Sequence, residues 1–158
     1  MNDIYNRDIT LGYNNIRKII DIYILVNDIK FETSDKAPST YKAVKQNFKE
    51  KGMLLVYSGG DHGHLGHKYN TKFRAVHDYM HLKYKLTFSF DDEHILSKIT
   101  SRLFRQIAWE ILGCTAWECY VIDKIVNAEI SGQIEYYKEN NRYVVNQAEF
   151  INDYLKVV

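Results

Sequence analysis

The sequence predicts a mainly α protein: one single-domain helical bundle over residues 1–158, with a Gly/His-rich loop and at most a short strand. Three observations lead there. Apolar residues recur with the period of a helix through most of the chain. Chain-breaking residues are few and localised, with a single proline, Pro38, and four of the eight glycines between Gly59 and Gly66. Hydrophobic residues make up 46% and charged residues 26% of 158 positions, enough to bury one core without disulfides or a structural metal.

From Asn14 to Ile29, the residues Ile16, Ile19, Ile20, Tyr23, Ile24 and Val26 follow a helical period, although so many β-branched side chains also suit a strand. Glu32 to Ser39, with Thr, Ser, Asp and Pro38, reads as a loop before an amphipathic helix from Thr40 to Lys51 that Gly52 ends. Met53 to Tyr57 fits a short strand or a buried extended segment and opens the motif-bearing region, about residues 53–155. The four glycines that follow exclude regular structure as far as His67 and favour an exposed, deformable loop.

After an N-cap at Asn70 or Thr71, a helix to Lys85 is expected, with Phe73, Val76, His77, Met80, His81 and Tyr84 on its inward stripe. Ser89 or Asp91 caps the next helix, whose face takes Glu93, Leu96, Thr100, Leu103, Ile107 and Ile111, and Gly113 ends it. One continuous helix from Thr115 to Glu139 puts Glu118, Ile122, Ile125, Val126, Glu129, Gln133 and Tyr136 on one side. Asn140 to Arg142 is a turn, and Gln147 to Leu155 a closing helix.

Charge and cysteine usage narrow the function classes. With 21 Lys+Arg against 20 Asp+Glu there is no field of the kind that drives phosphate-backbone binding, so nucleic acid is not the expected partner. Cys114 and Cys119 have neither redox nor zinc-knuckle spacing and are expected as reduced core thiols of a cytoplasmic protein. The segment Met1 to Asp8 is polar, and no apolar run approaches bilayer-spanning length, so neither secretion nor membrane insertion is expected.

All six histidines fall between His62 and His94. His77 and His81, four apart on a helix, present ring nitrogens to one point, as in an HExxH helix, but the sequence His77-Asp78-Tyr79-Met80-His81 lacks the catalytic glutamate of a zinc protease. A metal would need further anionic ligands, and Glu93 and Glu129 lie on inward stripes where an unpaired carboxylate is costly, as does Glu118. The expected metal ligands are therefore His77, His81, Glu93 and Glu129, for a divalent zinc, manganese or iron ion. Asp78 has three open roles: metal ligand, acceptor orienting His81, or partner of Arg74. Gln133, one turn after Glu129, is placed to orient a ligand or bind substrate. The loop histidines His62, His64 and His67 are either a source of another ligand, part of a mobile lid, or exposed bystanders. The competing reading of His77 and His81 is a pair of hydrogen-bonded core histidines.

The residues Tyr57-Ser58-Gly59-Gly60, Asn70 to His81, Phe88, Glu93, Glu129 with Gly132-Gln133, and Tyr143 to Phe150 form a pattern, N-x-x-F-R-x-x-H-D-x-x-H, then Glu, E-x-x-G-Q and Q-x-x-F. It resembles a family of uncharacterised phage-encoded proteins over about the last 60% of the chain. That resemblance implies phage origin and marks the same residues, without supplying a reaction. A looser similarity is to HD-type metal-dependent phosphohydrolases. There His77-Asp78 would be the metal-binding pair, a loop histidine the upstream ligand and Asp123 the last one.

The expectation that follows is a phage-encoded metal-dependent hydrolase acting on a nucleotide or other phosphate-containing small molecule. Asp78 is its base or orienting group, Arg74 its anion contact and Gln133 a substrate contact. The same ligands also suit iron for oxidative chemistry. The alternatives from other classes are a phage binding protein that sequesters a host nucleotide signal or inhibits a host protein, and a virion component.

Overall fold

In the computed structural model, which describes residues 3–158, the chain begins with helix α1 (Asn6–Asn27). Met1 and Asn2, the first residues of the polar N-terminal segment, lie outside the described residues. α1 starts well before the expected Asn14, because Ile9, Gly12 and Tyr13 continue the buried stripe of Ile16, Ile19, Ile20 and Tyr23 toward the N-terminus. Asp8 caps the start by accepting from the Tyr5 amide at 2.8 Å. Val26 leaves the stripe and is 75% exposed.

A small β-α-β unit follows. Strand β1 (Phe31–Ser34) pairs in parallel with β2 (Leu54–Tyr57), Phe31 opposite Leu54 and Ser34 opposite Tyr57, and α2 (Tyr41–Lys51) makes the crossover. The first half of the Glu32–Ser39 segment is thus a strand and not loop. In a two-stranded sheet its polar residues Glu32 and Thr33 face solvent, so it carries little of the apolar pattern that marks β2, where Leu54 and Val56 are buried. α2 has the expected ends: Thr40 accepts from the Ala43 amide, and Gly52 adopts the left-handed conformation at φ 67°.

The Gly/His segment is more ordered than its glycines imply. Gly63–Leu65 forms a 3₁₀ turn, Leu65 is buried, and α3 (Gly66–Tyr84) begins four residues ahead of the expected cap. Asn70 and Thr71 are buried inside α3 instead of capping it; the Thr71 hydroxyl donates back to the His67 carbonyl, and Asn70 faces the His62 ring at 3.1 Å.

α4 (Phe90–Glu110) is capped by Ser89, which accepts from the Asp92 amide. Its buried stripe is Glu93, Leu96, Ser97, Thr100, Ser101, Phe104 and Ala108, so Leu103 and Ile107 only flank the core and Ile111 is 61% exposed. The buried positions Leu96, Thr100, Phe104 and Ala108 recur every four residues, which displaces the buried face by one position from the expected one over the second half of the helix. Gly113 terminates it at φ 67°.

The expected Thr115–Glu139 helix is interrupted. α5 (Ala116–Asn127) passes into a π-helical turn, Ala128–Gly132, and then α6 (Gln133–Asn140); α7 (Gln147–Leu155) has the expected bounds, with Asn146 as N-cap. Glu118 caps α5 with Thr115 and accepts from Asn15 at 3.3 Å, which satisfies a carboxylate the stripe had marked as inward. The core runs between α1, α3, α4 and α5 in one compact domain, with the small sheet beside α3. Among the described residues no helix is long and apolar enough to cross a membrane.

α1 and α5 approach most closely at Gly12, where a Cβ would stand 2.6 Å from Ile125 Cδ1 and 3.1 Å from Val121 Cγ1, both in the core. Gly12→Val is expected to lower stability by about 1–3 kcal/mol through overpacking, read as a lower midpoint in urea unfolding.

Candidate metal centre

The His77 and His81 rings and the Glu93 carboxylate converge where α3 meets the first turn of α4. His77 Nε2 lies 2.9 Å from Glu93 Oε2, His81 Nε2 2.8 Å from Glu93 Oε1, and the two Nε2 atoms 3.0 Å apart. His81 is fully buried and Glu93 is 5% exposed, while His77 retains an opening to solvent. The chain builds this locally. The four-residue spacing on α3 brings the two rings together edge-on, and the Ser89 cap starts α4 so that Glu93, of the three acids in its first turn, points inward.

The His81 tautomer follows from its surroundings. Its Nδ1 is 2.9 Å from the Leu86 carbonyl, which can only accept, so Nδ1 carries the proton. In the neutral ring, Nε2 then turns a lone pair toward a carboxylate and a second imidazole nitrogen. Such an arrangement requires positive charge between the groups, as added protons or as a metal ion. Protons satisfy it incompletely. His77 Nδ1 and Glu93 Oε2 are buried without hydrogen-bond partners, Oε2 being close to His77 Nε2 but poorly aligned with it. A metal ion is the other way to supply that charge. Mutually cis donors around an octahedral ion, with bonds of about 2.1 Å, stand about 3.0 Å apart. The 3.0 Å between the two imidazole nitrogens matches that spacing, each nitrogen has its own Glu93 oxygen at 2.8–2.9 Å, and a carbonyl holding the far nitrogen of a ligating histidine is the usual supporting contact.

Electrostatics agree with a proton-bearing, cation-seeking cluster. Burial works against a charged His77, but the Glu93 carboxylate beside it prevails and raises its pKa. Burial likewise opposes ionisation of Glu93, yet His77 and His81 hold it down at about 2. Burial pushes Asp78 up to about 6, against the pull of His77 and His81.

Not every expected site residue joins this cluster; among the described residues it comprises His77, His81 and Glu93. Glu129 is elsewhere: it accepts from the Tyr13 hydroxyl at 2.6 Å and from Gln133 Nε2 at 3.0 Å, so Gln133 orients Glu129 and neither reaches the histidines. Burial lifts Glu129 to about 7, the Tyr13 hydrogen bond notwithstanding. Asp78 takes up none of its three expected roles, since it lies outside the donor cluster, Leu86 orients His81, and no ion pair joins it to Arg74 among the described residues. Arg74 instead donates through Nη1 to the carbonyls of Tyr57 and Gly59, pinning the start of the glycine loop.

The loop histidines are structural here. The His64 ring stacks on Tyr13 at 4.9 Å and bonds Asn152, while His62 meets His67 edge-on at 4.6 Å. Asp123, the last ligand in an HD-type set, is held on α5 by Ser101 and Arg105 and is absent from the cluster. Cys114 and Cys119 are free thiols, the first buried and the second partly so. Sequence reasoning missed the Leu86 carbonyl, which no side-chain pattern marks, and Tyr13, which a longer α1 stripe would have revealed.

Comparison with protein-family models, with curated proteins and with solved structures finds no match, so the chemistry of this centre is read from its own residues.

Proposed function

We propose that this protein is a phage-encoded metal-dependent hydrolase of a nucleotide or other phosphate-containing small molecule, with His77, His81 and Glu93 holding a divalent zinc, manganese or iron ion. The observation that carries the reading is the convergence of three side chains, each with an atom within 3.0 Å of each of the other two, one imidazole held by a backbone carbonyl so that its lone pair faces its two neighbours. A divalent ion held there supplies a Lewis acid that lowers the pKa of bound water toward neutrality.

The chain's own groups have separate tasks. Leu86 fixes the His81 tautomer, and the opening beside His77 is the side from which substrate approaches. Asp78 follows His77 directly on α3 and has no hydrogen-bond partner among the described residues, which leaves its carboxylate available to take a proton. Arg74, one turn before Asp78, has only Nη1 engaged by the loop among the described residues, and its remaining edge is suited to an anionic group. The motif resemblance supports phage origin, and the two free cysteines accord with a reducing host cytoplasm.

The test is metal content by mass spectrometry, followed by turnover of p-nitrophenyl phosphate, bis-p-nitrophenyl phosphate and nucleoside triphosphates. Near-stoichiometric metal is expected in the wild type, with loss of both metal and turnover in His77→Ala. Metal without turnover of any phosphate ester would shift the reading to a ligand-sequestering protein. No metal after incubation with zinc, manganese and iron would remove the centre altogether.

A further inference from the structure

A second feature lies on the opposite end of α4 and owes nothing to the donor cluster. Lys98, Arg102, Arg105 and Trp109 recur at i, i+4, i+7 and i+11, and all four are exposed. Arg102 follows Glu93 by nine residues, about 13 Å along the helix at roughly 1.5 Å per residue. Facing this stripe, α5 contributes Ala116, Cys119 and Tyr120, and together the two helices line an open cleft of about 580 Å³. Ala116 and Cys119 are its small lining residues. Trp109, 61% exposed, and Tyr120 form aromatic walls; Tyr120 is braced by stacking on Trp117 at 5.2 Å and covered by the Lys124 ammonium at 5.3 Å.

The charge of the cleft lining, Arg102 and Arg105 against Asp123, is positive by one, and Lys98 and Lys124 lie beyond it on the same two helices. Its own carboxylate, Asp123, is occupied by the Ser101 hydroxyl and by Arg105 Nε at 3.5 Å. Among the described residues no carboxylate lies within ion-pair distance of Lys98, Arg102 or Lys124, although the whole chain carries a net charge of only +1. Arg102 and Arg105 thus share the cleft with an exposed tryptophan and tyrosine, and Lys124 covers the tyrosine. Trp, Tyr and Arg are the residues that most often dominate binding energy at protein interfaces.

We propose that the α4–α5 cleft docks an acidic segment of another protein, one that carries an aromatic or leucine side chain as its anchor. An open slot along two adjacent helices suits an elongated segment laid into a groove. Arginine forks match carboxylate pairs, and the aromatic walls take the apolar anchor. Single-stranded nucleic acid fits less well, because successive bases need open aromatic faces, and Tyr120 already carries Trp117 at 5.2 Å and the Lys124 ammonium at 5.3 Å.

The experiment is selection of a displayed random-peptide library on the full-length wild type, with counter-selection on Arg102→Glu/Trp109→Ala. A short single-stranded DNA is assayed in parallel by fluorescence anisotropy. Recovered sequences are expected to place Asp and Glu around Phe, Leu or Trp. A synthetic peptide of that composition should lose at least about tenfold in affinity with Trp109→Ala and, separately, with Arg102→Glu. Both side chains are exposed, so the variants should keep the wild-type melting temperature and metal content, which confirms that they fold and separates this surface from the donor cluster. Recovery of no variant-sensitive sequence would overturn the proposal, as would Trp109-dependent binding of the DNA without peptide binding.

Discussion

His81→Ala is expected to abolish metal binding and also to destabilise the metal-free protein by about 3–5 kcal/mol, the usual cost of truncating a fully buried ring and leaving a buried carboxylate with one partner fewer. The size of the effect follows from burial. Glu93 is 5% exposed, and without His81 its carboxylate keeps only the imperfectly aligned His77 contact. The substitution also leaves a void where the ring packs edge-on against Phe88 at 4.6 Å, and deprives the Leu86 carbonyl of the ring donor. For a domain of this size the loss corresponds to a melting temperature lower by roughly 10 °C.

Metal supplies the second half of the same test. An ion that binds only the folded state raises the melting temperature with its concentration. Wild type is therefore expected to melt higher with added zinc, manganese or iron, and His81→Ala not to respond. Equal metal-free stability of the two proteins in calorimetry would mean that the buried Glu93 carboxylate does not depend on the His81 ring.

Glu129→Gln is expected to change the pH dependence of stability more than any surface substitution. The folded-state pKa of Glu129 is raised, from 4.5 to about 7, with burial as the cause. The folded protein therefore holds this proton more tightly than the unfolded chain. The stability it contributes is complete below pH 4.5 and is lost as pH rises through about 7, a difference on the order of 3 kcal/mol. Glutamine keeps an acceptor for the Tyr13 hydroxyl but has no proton to lose.

In urea unfolding at a series of pH values, the wild type should lose about that amount relative to Glu129→Gln between pH 4.5 and 7. Other groups do not mimic the difference. Glu93, held at about 2, contributes stability present above 4.5 and lost only as pH falls toward 2. His77, with its raised pKa, loses its contribution as pH rises above 6.5, equally in both proteins. Parallel profiles for the two proteins would show that the Glu129 carboxyl is not buried in its neutral form.

The helices and the central pair of the candidate site are properties of local sequence. The period of apolar residues, the Thr40, Ser89 and Thr115 caps and the left-handed Gly52 and Gly113 depend on neighbours a few positions away, so their placement is readable without a fold. The same holds for His77 and His81, which share a face because they are four residues apart, and for Glu93, which the Ser89 cap turns inward. Which carboxylate meets those imidazoles is a different kind of fact. Glu93 and Glu129 both lie on inward stripes, and only the packing of α4 against α3, and of the π-helical turn against α1, assigns one to the histidines and the other to Tyr13.

Strand β1 belongs with the packing facts too. Phe31 to Ser34 becomes a strand because Leu54 to Tyr57 supplies its hydrogen bonds, across a crossover that no periodicity announces. Asp123, adjacent in pattern to an HD-type ligand, was drawn away by Ser101 and Arg105 of the neighbouring helix. Local spacing decides which face a side chain occupies. What that face meets depends on contacts between residues far apart in the chain, and those exist only once the helices have packed.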